Sequence, residues 1–157
     1  MKRSFRLLLP LVALVLSAAI SDATAQEKPY TPGLGDLMTM TVQPRHTKLG
    51  LAIREANWRY AAYALEELEE AFERIGEVWP KWHEFTITDM IGSVIRDPMA
   101  ALEQAIKAAD ATGAAAAYGQ LTVACNTCHR SADRSVIVIQ APLASAFPDQ
   151  DFRPAKE

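Results

Sequence analysis

The sequence predicts an all-α protein, an antiparallel four-helix bundle followed by an irregular C-terminal tail. Three observations carry that prediction. Apolar residues recur at spacings of four and three along most of the chain after residue 40, the seam of a helix packed on other helices. The first connection between seams, Glu55–Trp58, is short, and short connections make antiparallel neighbours. Strand and helix patterns nowhere alternate, as a parallel sheet would require.

The N-terminus stands apart from this pattern. Lys2, Arg3 and Arg6 precede an apolar run over residues 7–20, and Ala23-Thr24-Ala25 offers the small-x-small cleavage site of a secretory leader. The run is shorter than the roughly 20 residues that span a bilayer, and Pro10 interrupts it, so an uncleaved anchor is the weaker reading. Residues 1–25 are therefore expected to be a signal peptide cleaved near Ala25, and residues 26–157 a single exported domain, periplasmic and without a membrane span.

The first seam carries Val42, His46, Leu49, Ile53 and Ala56, and the second Ala61, Leu65, Leu68, Phe72, Ile75 and Trp79. Between them Asn57 suits both roles in a tight turn, since Asn tolerates the left-handed conformation and caps a following helix. After Trp79-Pro80 the pattern breaks. A third stretch runs through Ile87, Ile91 and Val94, then Leu102, Ile106 and Ala109. Asp97-Pro98 within it fits an N-cap followed by Pro at the first helical position, predicting two short helices or one kinked helix. The fourth stretch starts near Thr112 and aligns Ala114, Tyr118, Leu121, Cys125 and Cys128, turning both cysteines toward the core. Beyond Ser135 a β-branched run and Pro142, Pro148 and Pro154 show no period, hence the irregular tail.

Charge narrows the function classes. The chain holds 16 Lys and Arg against 19 Asp and Glu; without Lys2, Arg3, Arg6 and Asp22 of the leader, 13 stand against 18, a net of minus five. That balance argues against nucleic acid, which needs a basic footprint. Glu66, Glu67, Glu69, Glu70, Glu73 and Glu77 line the outer face of the second helix, read first as a solvated face and second as a surface that steers a basic redox partner.

The chemistry lies in Cys125-Asn126-Thr127-Cys128-His129. Two cysteines in an exported chain suggest a disulfide, and C-x-x-C a redox thiol pair, but the following His makes this the attachment sequence of a covalent c-type haem. Thiols at i and i+3 of a helix share one face about 5 to 6 Å apart, so each can form a thioether with one haem vinyl group. His129 then presents an imidazole nitrogen to the iron.

A four-helix pattern with this motif on its last helix resembles the class II c-type cytochromes, the cytochrome c-prime group and its low-spin relatives. The resemblance spans nearly all of the exported part in architecture and rests specifically on Cys125, Cys128 and His129. It implies one haem between the helices near one end of the bundle, with the distal side facing the first helix. The 28 residues after His129 depart from the family pattern. Arg45-His46-x-Lys48-Leu49 and Asn57-Trp58 also resemble segments of uncharacterised exported bacterial c-type haem proteins.

An antiparallel first helix brings its start to the haem, so the sixth iron position falls to His46, Met38, Met40 or no protein ligand. His46 sits on the seam, where an unpaired imidazole costs about 1 to 3 kcal/mol and iron would remove that cost; the other reading is a core histidine bonded to a carbonyl or a haem propionate. The expected iron ligands are thus His129 and His46, with Cys125 and Cys128 completing haem attachment. His83 reads as a surface residue, and Trp58, Trp79, Trp82 and Tyr118 as packing. Arg130 and Arg134 read equally as propionate partners or surface arginines.

Two functions follow. One is a periplasmic electron carrier cycling Fe(III)/Fe(II) with a redox partner. The other is a five-coordinate haem protein binding nitric oxide or carbon monoxide, as the cytochrome c-prime resemblance implies. No acid-base pair or nucleophile stands beside the motif, so an enzyme is not expected. A homodimer is admitted by the pattern but not required.

Overall fold

The computed structural model describes residues 30–156, so the expected leader and its cleavage site lie outside the described residues. The first helix, α1, covers residues 34–54 in three consecutive segments: α-helical Leu34–Leu37, a π-helical turn Met38–Val42, and α-helical Gln43–Arg54. Pro44 accounts for the middle segment. In an α-helix its ring would press on the Met40 carbonyl; widening the turn relieves that contact, and Gln43 N–H reaches back to the Met38 carbonyl. Arg45 donates to the Thr41 carbonyl at 3.0 Å, satisfying a group that the irregular turn exposes.

Ala56 ends α1 with φ 51°, taking the left-handed position, while Asn57 at φ −85° caps α2 (Trp58–Val78) by accepting from Tyr60 N–H at 3.1 Å. The two roles that the sequence suggested for Asn57 are thus split between neighbours. On α2 the seam is buried as expected at Ala61, Leu65, Leu68, Phe72 and Ile75. On α1, Val42, His46, Leu49 and Ile53 are buried, whereas Ala56 has left the helix and is exposed.

The break after Trp79 is a small antiparallel hairpin, which the all-α expectation lacked. Strand β1 (Lys81–Trp82) pairs with β2 (Phe85–Thr86), Trp82 opposite Phe85, and His83 turns the chain at φ 52° with its side chain exposed. Trp, Phe and Thr suit a pleated half-buried surface, but a two-residue strand is too short to show a period. Helix α3 (Ile87–Lys107) follows at once and continues through Pro98. Asp97 therefore starts no new helix: Ile91, Met99, Leu102 and Ile106 all bury on one face, and that packing holds the two sides of the proline together. Helix α4 (Ala111–Ser131) begins under Asp110, whose carboxylate accepts from Gly113 N–H at 3.0 Å.

Each helix packs on the next, and α1 closes onto α4. The closure is antiparallel: residue 46 meets 122 while residue 50 meets 118. The start of α1 and the end of α4 thus lie at one end of the bundle. The tail has no regular structure but is tied down at several points. Arg54 donates to the Leu143 carbonyl at 3.0 Å, Lys48 lies over the Phe147 ring, and Asn57 donates to the Phe152 carbonyl at 3.1 Å. Leu51, three residues from both Lys48 and Arg54 on that side of α1, is fully buried although it stands outside the core shared by the helices.

Candidate functional site

At the shared end of the bundle a largely apolar cavity of about 280 Å³ opens between the first half of α1, the first half of α3 and the last turns of α4. Cys125 and Cys128, which the seam on α4 turned inward, border it, and so does His129. Both thiols are free and half-buried. Burial, with Cys128 adding to it, pushes the Cys125 thiol up to about 11, and burial also raises Cys128, so both are protonated at neutral pH. Apolar side chains, among them Leu34, Val42, Ile87, Ile91 and Ile95, line most of the rest of the cavity.

His129 is oriented by the tail. Its Nδ1 lies 3.1 Å from the Ile137 carbonyl oxygen, which can only accept, so Nδ1 carries a proton and, in the neutral ring, Nε2 is the nitrogen with the lone pair. Asn126, inside the motif, fastens the same tail segment: its amide donates to the Ile139 carbonyl at 2.8 Å, and Ile139 N–H donates back to Oδ1 at 2.8 Å. Arg134, also at the cavity, places its guanidinium 4.7 Å from the centre of the Trp82 ring, joining tail to hairpin.

His46 borders the cavity as well, yet both of its nitrogens have partners within the protein. Thr122 donates its hydroxyl proton to the Tyr118 carbonyl at 3.0 Å, so Thr122 Oγ1 accepts from His46 Nε2–H at 3.0 Å. The Tyr118 hydroxyl stands 3.0 Å from Nδ1 and 2.9 Å from the His46 carbonyl, with the two rings stacked at 4.6 Å. Burial lowers the imidazole to about 4, keeping it neutral, and raises the Tyr118 phenol. The partner that a seam histidine needs is thus supplied by Tyr118 and Thr122. Should Nδ1 take the proton instead, Tyr118 Oη could accept it while still donating to the carbonyl; freeing Nε2 costs about one hydrogen bond.

Of the methionines considered for the iron, Met38 borders the cavity and Met40 is 73 % exposed, pointing away from it. Met90 on α3 also borders it, off the seam that drew attention to Ile87 and Ile91. Trp82 is at the cavity as well as in the packing. The roles of Asn126, Ile137 and Ile139 were not read from the sequence: Asn126 occupies a variable position of the motif, and the tail has no period. Among the described residues no three His, Cys, Asp or Glu converge to hold a bare metal ion, and no helix is long and apolar enough to cross a membrane. Comparison with known protein families, with curated proteins and with solved structures finds no match.

The residues present fit a c-type haem. Two free thiols one helical turn apart, an imidazole whose Nδ1 is bonded to a backbone carbonyl, and apolar walls meet at one cavity.

Proposed function

We propose that this chain is an exported monohaem c-type cytochrome of the class II kind, an electron carrier with haem held by Cys125 and Cys128 and with His129 Nε2 as an axial iron ligand. The observation that carries the reading is the His129 hydrogen bond to Ile137: it fixes the tautomer that a metal-bound histidine needs, beside both thiols of the attachment motif. When bound, a haem supplies one-electron Fe(III)/Fe(II) chemistry. The protein's part is to exclude water with the apolar walls, to orient His129 through the tail, and to present His46 or Met38 from α1 for the second axial position. Residues 1–25 support export to the periplasm, where an acidic outer face on α2 suits a basic redox partner.

One observation favours a second reading, a five-coordinate haem that binds a small gas. His46 is engaged by Tyr118 and Thr122 rather than free, so the cavity would offer an iron no unengaged imidazole besides His129.

The test is expression with the haem-attachment machinery, followed by acid-acetone extraction and absorption spectra. Haem should remain with the protein and be lost from Cys125→Ala/Cys128→Ala; a colourless wild type overturns the proposal. A low-spin ferric spectrum that becomes high-spin in His46→Ala supports the electron carrier with His46 bound. A wild type already high-spin, and binding carbon monoxide when reduced, selects the gas binder.

A further inference from the structure

We propose that tail residues 134–139 act as a strap that sets the proton position and the electron donation of His129, with Asn126 as its positioning residue. The function toward iron rests on the haem reading above; the strap itself does not. Three links define it. Arg134 N–H donates to the His129 carbonyl at 2.7 Å, tying the strap's start to the end of α4. The Ile137 carbonyl accepts from His129 Nδ1–H at 3.1 Å. The Asn126 side chain and the Ile139 peptide exchange two hydrogen bonds, each of 2.8 Å, closing the far end one helical turn before His129.

The geometry makes Asn126 specific. A side-chain amide offers one donor and one acceptor on the same edge, matching a peptide's C=O and N–H as a neighbouring strand would. The same Nδ2 also donates to the Thr122 carbonyl at 3.1 Å, which holds the amide in that orientation. With Ile139 fixed, Ile137 two residues earlier has its carbonyl held against His129. Val136 and Val138 point outward, 89 % and 74 % exposed, so burial of those side chains does not fix the segment. A carbonyl accepting from Nδ1–H makes the imidazole a more basic ligand, which favours the ferric state and lowers the reduction potential.

The test compares, in the full chain, wild type, Asn126→Ala and Arg54→Ala, whose hydrogen bonds hold the tail beyond the strap. Asn126→Ala keeps a strong helix former inside α4, so folding is retained. In this variant the Ile139 amide should exchange about tenfold faster. Its His129 nitrogen NMR signals should move from the Nδ1–H tautomer toward a mixture in the haem-free Cys125→Ala/Cys128→Ala background. The haem-loaded variant should show a higher reduction potential and a weaker iron–histidine stretch. Arg54→Ala releases the tail beyond the strap and should keep the wild-type tautomer and potential, even where its thermal stability falls. If Asn126→Ala leaves exchange, tautomer and potential unchanged, the strap is refuted while the haem reading stands. If no haem is bound, that reading fails alone, and the exchange and tautomer measurements still judge the strap.

Discussion

Gly50 of α1 lies so close to the Tyr118 ring of α4 that a Cβ built on it would fall 2.5 Å from Cζ. The ring cannot retreat freely, because its hydroxyl is bonded to His46 on one side and its face is stacked on the imidazole. Gly50→Ala gains about 1 kcal/mol of helix propensity. It also forces apart a well-packed contact, an overpacking that costs about 1 to 3 kcal/mol. The contact wins: chemical denaturation should show a net loss. Gly119→Ala, with nothing within 4 Å of the added Cβ, should be neutral or stabilising.

This contact explains what the sequence could and could not convey. The seams on α2 and α4 were legible because burial repeats at helical spacing, and Cys125 and Cys128 were placed on the core side by that repeat alone. Gly50 and Asn126 carry no such signal, since their roles depend on which residue the closing helix or the tail brings opposite. Met40, a candidate taken from the start of the first helix and not from a seam, is exposed. The π turn before Pro44 shifts the angular phase of residues 38–41, ahead of the first seam, so a helical repeat does not extend to them.

Tyr118→Phe removes the hydroxyl shared by His46 Nδ1 and the His46 carbonyl and leaves the buried Nδ1 without its partner. The expected loss is about 1 to 3 kcal/mol, the desolvation of an unsatisfied polar atom. Combined with His46→Leu the loss should be less than additive, because the double variant leaves no orphan nitrogen. A double-mutant cycle by urea denaturation measures this coupling; strict additivity would show that the pair is not energetically linked.

The buried imidazole also sets a pH dependence. His46 is lowered from 6.5 to about 4 by burial, so between these values the unfolded chain binds a proton that the folded protein does not. Stability is therefore fully present above about pH 6.5 and declines as pH falls toward 4, by on the order of 3 kcal/mol if the whole shift is expressed. His46→Gln, which does not titrate, should lose this part of the slope. Denaturation midpoints for both proteins from pH 4 to 7 provide the measurement, and parallel curves would falsify the assignment to His46.

Asn57 performs two tasks with two different atoms, which allows them to be separated. Its Oδ1 accepts from Tyr60 N–H and caps α2, while its Nδ2 donates to the carbonyls of Phe152 and Arg153 at 3.1 and 3.2 Å. Phe152 is buried at 5 % exposure and meets the Tyr60 ring edge-on at 5.7 Å, so the tail has an apolar anchor besides the amide. Asn57→Asp keeps the capping oxygen and adds a negative charge at a helix N-terminus, which is favourable, but can no longer donate to the tail. It should leave the bundle's stability nearly unchanged while exposing the tail to limited proteolysis between residues 143 and 156. Asn57→Ala loses both functions and should cost about 1 kcal/mol more. If Asn57→Asp resists proteolysis as wild type does, Phe152 burial and the Arg54 hydrogen bonds hold the tail, and the Asn57 amide serves only the helix.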